Sequence, residues 1–288
     1  MQILEILFYP FKKVIEFFQH YFKASIVLIV LFVIFSPFDV ENIEIPNLKE
    51  IRLEGMILDA RGVLDEIEKA KDSNIKGVLF VVDSPGGLIA PSIEISMALK
   101  ELANEKKIVV YASGTLASGS YYASIYGDKI IANPGSMVGS IGVIFNGANI
   151  EEITKKIGIK TQIIKAGEYK EAGTFYREWS AKEKEMMENL VAKQYDMFVD
   201  DVAKARGLDV NNHKEFADGK VFTAYESKEL GLIDEVASYG YAKSELIRIS
   251  EVTNPIWVKK DKVDEILDRL EGKVSSAIIS TIFSQIIL

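Results

Sequence analysis

The stretch V-Y-A-S-G-T-L-A-S-G-S-Y-Y-A, residues 110–123, decides how this chain is read. Ile108, Val109 and Val110 lead into it and read as a buried strand. Tyr121, Tyr122, Ala123, Ile125 and Tyr126 leave it with the spacing of one helix face. Ala117, Ser118, Gly119 and Ser120 fill the joint. A strand that turns through small residues into a helix places a side chain at the helix N-terminus. The partial positive charge there favours a developing anion. A nucleophilic serine needs that position, and Ser118 is the candidate. The plainer reading is that Ser118 caps the helix and the small residues only permit close packing.

Strands and helices alternate outward from this joint. Glu50 to Leu58 reads as a strand ending at Asp59. Arg61 to Lys71 reads as a helix with Val63, Leu64, Ile67 and Ala70 on its apolar face. Lys76 to Val82 is apolar enough for a strand covered on both faces, and it stops at Asp83-Ser84-Pro85-Gly86-Gly87. Pro91 opens a helix carrying Ile93, Ile95, Met97, Leu99 and Leu102. Strands Lys107 to Tyr111 and Lys129 to Ala132 flank the central joint. Beyond the turn Asn133-Pro134-Gly135, the pattern predicts a glycine-broken strand over Val138 to Phe145. It then predicts a helix over Ile150 to Ile157 and a strand over Lys160 to Lys165. Ser180 to Arg206 is a long charged helix, opened by a capping box of Ser180 and Glu183. Ala217 to Asp234 reads as loop, short helix and turn. The alternation predicts an α/β fold with a largely parallel, buried sheet.

The chain has 288 residues, 48% hydrophobic and 26% charged, with a net charge of -8. An acidic chain of this kind gives no footprint for nucleic acid. The absence of cysteine excludes disulfides, thiolate catalysis and cysteine zinc sites. Residues 1–23 are aromatic-rich and amphipathic, and Ala24 to Phe38 is an uncharged run. With Tyr21, Phe22 and a snorkelling Lys23 it nears the length of a membrane-spanning helix. Its exit, S-P-F-D-V-E-N, lacks a small-x-small cleavage pattern, so an uncleaved signal anchor is expected. Lys12, Lys13 and Lys23 precede the run, and Asp39, Glu41 and Glu44 follow it. That asymmetry puts the N-terminus in the cytoplasm and the rest outside a cell membrane. The expected division is an anchor and linker over 1–46, a catalytic domain over 47–250 and an apolar tail over 251–288. Val274 to Leu288 would be either a packed helix or a membrane or oligomer contact.

An acyl-transfer site needs a nucleophile, a base and backbone donors aimed at the oxyanion. Gly86 and Gly87 can supply such donors, because glycine lets main-chain amides approach a ligand closely. The Gly119 amide, just after Ser118, is a second source. For a base, the chain has two histidines. His20 precedes the apolar run and His213 lies in the polar stretch N-N-H-K-E, so neither is well placed for a serine triad. Lysine is the known variant, and Lys165 and Lys170 in K-A-G-E-Y-K-E-A-G-T are the candidates. A lysine acts as a base only when neutral, so burial must bring it below its ordinary value of about 10.4. Tyr169 would contribute that burial for Lys170.

These segments together resemble the short single-module form of the signal peptide peptidase A family, from roughly Glu50 to Ala242. D-S-P-G-G at 83–87 resembles its oxyanion loop, and A-S-G-S-Y-Y at 117–122 its nucleophile motif. Ser120 stands where the family more often has glycine, a change expected to be neutral. P-G-S-M-V-G-S-I-G-V at 134–143 matches the segment whose serine, Ser140, bonds the catalytic lysine. G-E-Y-K-E-A-G at 167–173 matches the lysine motif, and A-D-G-K-V-F-T with E-L-G-L-I-D-E resembles the closing signature. The resemblance implies a Clp protease/crotonase-like fold of repeated ββα units and a Ser118/Lys170 dyad without cofactor or metal. It also implies a homo-oligomeric ring on the membrane and an extended peptide substrate, such as a remnant signal peptide. Leu88 and Ile89, with Gly139, Ser140 and Ile141, would offer backbone edges to that peptide. Three rival readings remain. One is a hydratase or isomerase of the same superfamily, working through glutamates. The others are a non-catalytic membrane scaffold and a stomatin-partnered membrane protease.

Overall fold

The computed structural model describes residues 45–259, together with residues 13, 17, 20–22, 26, 27 and 31. The expected anchor over Ala24 to Phe38 lies outside the described residues apart from Ile26, Val27 and Leu31. The tail over Val274 to Leu288 lies wholly outside them. Among the described residues no helix is long and apolar enough to cross a membrane. Residues Met1–Ile45 and Pro46–Leu288 form two separate compact units. The second holds the strand-to-helix joint at Ser118.

The centre of this second unit is a parallel sheet in the order β1-β2-β3-β4-β7, built from Leu48–Glu54, Gly77–Ser84, Lys107–Ala117, Lys129–Ala132 and Glu235–Val236. Helices α1 (Arg61–Ala70), α2 (Ile89–Ala103) and α3 (Gly119–Ser124) connect the first four strands. The apolar runs are continuous because both faces of the sheet are covered. Val78, Phe80, Val82, Ile108, Val110 and Ala112 point to the larger core, with Ile67, Ile95 and Leu99 of α1 and α2. Their alternates Leu79, Val81, Val109 and Tyr111 point to a smaller core with Ala242 and Leu246. Those last two residues belong to a C-terminal helix, Tyr239–Ile249.

The predicted strands and helices before residue 133 are present with shifted ends. The first strand runs Leu48–Glu54 and does not reach Asp59, since Gly55 leaves it with φ +71°. Strand β3 extends to Ala117, six residues past the predicted end. Its lengthening has a physical cause. Between Val82 and Ser84 the register of β2 against β3 jumps from Ala112 to Leu116. The Asp83 carboxylate accepts the Thr115 amide at 2.8 Å, and Gly114 leaves the room, since a Cβ there would lie 2.3 Å from Asp83 Oδ1. This bulge re-aims the strand. Val109–Ala112 pair with β4, whereas Thr115–Ala117 pair with a new strand, β5 (Met137–Gly139).

β5 in turn pairs antiparallel with β6 (Val221–Thr223). The predicted strand over Val138 to Phe145 therefore stops at Gly139. The predicted strand over Lys160 to Lys165 does not form; the segment is exposed and has no pairing partner among the described residues. A short helix α4, Glu151–Lys156, precedes it. The long helix α5, Ala181–Arg206, starts at the predicted capping box, with the Ser180 side chain on the Glu183 amide and Glu183 on the Ser180 amide. Phe198, Val199 and Val202 of α5 enter the larger core.

Candidate active site

The bend in β3 delivers Ser118 to the N-terminus of α3. Ser118 adopts φ 53° and ψ -124°, and its side chain makes no capping hydrogen bond. A non-glycine residue in that region stores about 1–3 kcal/mol and persists only where its surroundings hold it. The holding groups are visible. The Ser118 amide donates to Gly139 O at 2.8 Å, and its carbonyl accepts the Tyr122 amide at 3.0 Å. The capping explanation of Ser118 therefore fails, and the strained turn sets Ser118 in the wall of a cavity.

Ser120 tightens the same turn. Its buried hydroxyl accepts the Ala117 amide at 2.9 Å and donates to Ser84 O at 2.7 Å. It thus ties the nucleophile turn to the strand end that begins the glycine loop. The serine at this position, where the family more often has glycine, thus makes side-chain bonds that glycine could not. A side chain bonding back to the backbone three residues earlier is a local signal that sequence reading passed over.

The glycine loop packs directly on this turn. A Cβ on Gly119 would lie 3.2 Å from the Gly87 nitrogen, so the Gly87 and Gly119 amides are neighbours. Among the described residues neither donates to a protein acceptor. The loop itself is fixed by Ile57, whose amide donates to Gly86 O at 2.9 Å and whose carbonyl accepts the Leu88 amide at 2.8 Å. Two free amides beside a strained serine form an arrangement that can hold an oxyanion.

Ser118, Gly119, Gly87 and Ser140 line a cavity of about 220 Å³, whose walls also include Ile89, Ile93, Tyr122, Val143, Met197 and Phe198. Burial, then the Asp201 carboxylate that accepts its hydroxyl, push the Tyr122 phenol above its usual range. Among the described residues that line the cavity there is no carboxylate. Neither histidine lines it; the His213 ring stands instead against Tyr195, with Nδ1 3.0 Å from Val210 O.

Ser140 also takes a left-handed conformation, φ 49°, and is clamped by the closing signature. Its amide donates to Lys220 O at 2.6 Å, and the Gly219 amide donates to Ile141 O at 3.0 Å. Gly139 is paired on both sides, to Ala117 and to Val221. The stretch Gly139 to Ile141, expected as an open strand edge, is therefore closed by residues 219–221, and Ile141 is fully buried. Ile89 lines the cavity, and Leu88 beside it is exposed.

Lys170 stands apart. It lies on an exposed turn and does not line the Ser118 cavity, and Tyr169 is exposed as well, so the expected shielding is missing within one chain. The two candidate lysines nevertheless differ. Lys165 is bound to Glu171 at 2.6 Å, and Glu171 also holds Tyr176 and Arg177. No side-chain bond engages Lys170 among the described residues.

The family pattern described as peptidase family S49 matches residues 100–253, which hold Ser118, Ser140 and Lys170. The chain belongs to peptidase family S49. Its relatives agree with the signal peptide peptidase A resemblance. A protein of Methanocaldococcus jannaschii, classed by inference as a protease, is 40% identical over 200 residues, covering 68% of this S49 chain and 64% of that protein. An Enterococcus faecium protein, classed by inference as signal peptide peptidase SppA, is 38% identical over 188 residues, covering 64% and 53%. The S49 chain thus spans less than two thirds of the length of either. A solved structure of a membrane-bound stomatin-specific protease, in a serine-to-alanine form, aligns with a TM-score of 0.48 at 15% identity, covering 69% of this chain and 84% of that one.

Proposed function

We propose that this chain is a serine endopeptidase in which Ser118 attacks the peptide carbonyl and Lys170 takes its proton. The observation that carries the reading is the strained Ser118, with an uncapped hydroxyl, beside the free Gly87 and Gly119 amides. Attack forms the Ser118 Oγ–carbon bond, and the carbonyl oxygen becomes an oxyanion received by those two amides. The proton passes to the neutral Lys170 amine and then to the leaving amine, and water releases the acyl group by the same route in reverse. Ser140 orients the lysine.

The base must reach the site by assembly. Ile144, Ile153, Ile157, Ile159, Ile163 and Ile164 are all exposed on the segment that leads to Lys170. An apolar stretch of this kind marks an interaction surface. A ring of copies would cover it and set a Lys170 beside each Ser118. The uncharged run over Ala24 to Phe38 would hold that ring on a membrane with the catalytic unit outside. Peptides left in or near the bilayer, such as remnant signal peptides, would be the substrates. An unfolded apolar protein should be cut by the wild-type chain and spared by Ser118→Ala, with circular dichroism and oligomer size unchanged. Equal cleavage by both would refute the reading.

A further inference from the structure

Ser92, the fourth residue of α2, carries a buried hydroxyl that the reaction outlined above does not use. Its Oγ donates to Leu88 O at 2.8 Å, and its amide donates to the same carbonyl at 3.3 Å. Leu88 directly follows Gly87, and its own amide is held by Ile57 O. Ser92 also lies against Gly119, where a Cβ would fall 2.3 Å from Ser92 Oγ and 3.1 Å from Ser92 Cβ. Gly119 is the first residue of α3, a helical position that any residue adopts. The demand for glycine there comes from packing, and Ser92 makes it. Back-bonding to a carbonyl four residues earlier adds little to a helix. Leu88 O also keeps a backbone donor without it. The hydroxyl therefore serves the two segments it touches, and these carry the free Gly87 and Gly119 amides.

We propose that Ser92 is a positioning residue for the oxyanion donors. Its hydroxyl ties down the residue after Gly87 and fills the space beside Gly119, which fixes the spacing of the two amides. This rests on the peptidase reading above. Such donors act because they are in place before charge develops. Displacing one of them slightly costs rate in the transition state and leaves ground-state binding alone. Ser92→Ala removes the spacer and leaves Leu88 O the backbone amide of residue 92. Stability should change little, and catalysis should change more.

The test compares wild type, Ser92→Ala, Gly119→Ala and the double variant on one fluorogenic apolar peptide. Two inhibitors accompany it: a peptide aldehyde, whose adduct with Ser118 sets an oxygen at the two amides, and the matching peptide alcohol, which forms no adduct. Ser92→Ala should lower kcat about tenfold with KM within about twofold, less than the about 10²–10³ lost with a whole donor. Its affinity for the aldehyde should fall by the same factor, and its affinity for the alcohol should hold. Gly119→Ala should be nearly inactive, and adding Ser92→Ala should recover at least about tenfold, because the two side chains compete for one space. An unchanged kcat in Ser92→Ala overturns the proposal, and so do equal losses of aldehyde and alcohol affinity. A double variant no faster than Gly119→Ala overturns it too. A Ser92→Ala chain that does not fold also overturns it, since the hydroxyl would then hold the fold. Any of these results with an active wild type leaves the peptidase reading intact. A wild type that neither cuts the peptide nor binds the aldehyde refutes both.

Discussion

Gly86 lies against Ser118 so closely that a Cβ on Gly86 would fall 2.9 Å from the Ser118 Cβ and 2.5 Å from the Gly119 nitrogen. The glycine loop and the Ser118 turn are thus packed directly against each other.

Gly86→Ala should break that packing. Gly86 has φ +90°, which alanine adopts only with strain, and the added methyl would drive into backbone. The expected loss is about 1–3 kcal/mol of stability. Displacing an oxyanion donor should also lower kcat by about 10²–10³. Thermal unfolding and steady-state kinetics read the two effects. An alanine variant with normal kcat would mean that the loop does not contact the reacting group.

Ser120→Ala removes one buried hydroxyl that joins Ala117 to Ser84. It leaves the Ala117 amide and the Ser84 carbonyl each short of a partner, for about 1–3 kcal/mol. The melting temperature should fall, and kcat should fall with it as the turn loosens. An unchanged melting temperature would show that these bonds contribute nothing.

Lys170→Ala should be as inactive as Ser118→Ala, because members of one catalytic unit are not additive. Lys170→Arg should be inactive too, since guanidinium stays protonated. Lys165→Ala should keep most activity, its amine being held by Glu171. If the ring brings Lys170 to a neighbour's Ser118, mixed and exchanged Ser118→Ala and Lys170→Ala chains should recover about a quarter of wild-type activity. A wholly inactive mixture would place the pair within one chain.

The lysine turn should loosen in acid. Glu183 is held down to about 2, first by the Arg177 guanidinium and then by the Ser180 amide. Glu171 is lowered as well, first by Lys165. A carboxyl depressed on folding stabilises the fold fully above its unfolded value of about 4.3. That contribution is lost as pH falls from there toward 2. Proteolysis of the segment 160–180 should therefore rise over this window while the sheet stays protected. Glu183→Gln should weaken the pH dependence and leave the part that Glu171 contributes. A flat profile in wild type would show that the ion pairs do not hold the turn.

The sequence made the sheet legible because strands covered on both faces are continuous apolar runs, as in Lys76 to Val82. Ser118 was legible because a nucleophile turn needs small residues that no ordinary helix start requires. The extension of β3 was not, since it depends on Asp83 meeting Gly114 and Thr115 across 31 or more residues. The role of A-D-G-K-V-F-T was visible only as a motif, and its pairing with β5 supplies the reason. Lys160 to Lys165 has the composition of a strand, but no neighbouring strand receives it in a single chain.

The assignment of Ser118 is tested most directly by intact mass after treatment with a fluorophosphonate, which reacts with an activated serine. Wild type should gain a single adduct, and peptide mapping should place it on Ser118. Ser118→Ala should gain none, and Lys170→Ala should gain it far more slowly. An adduct on another serine, or an equal adduct on the Ser118→Ala chain, would contradict the assignment of the nucleophile.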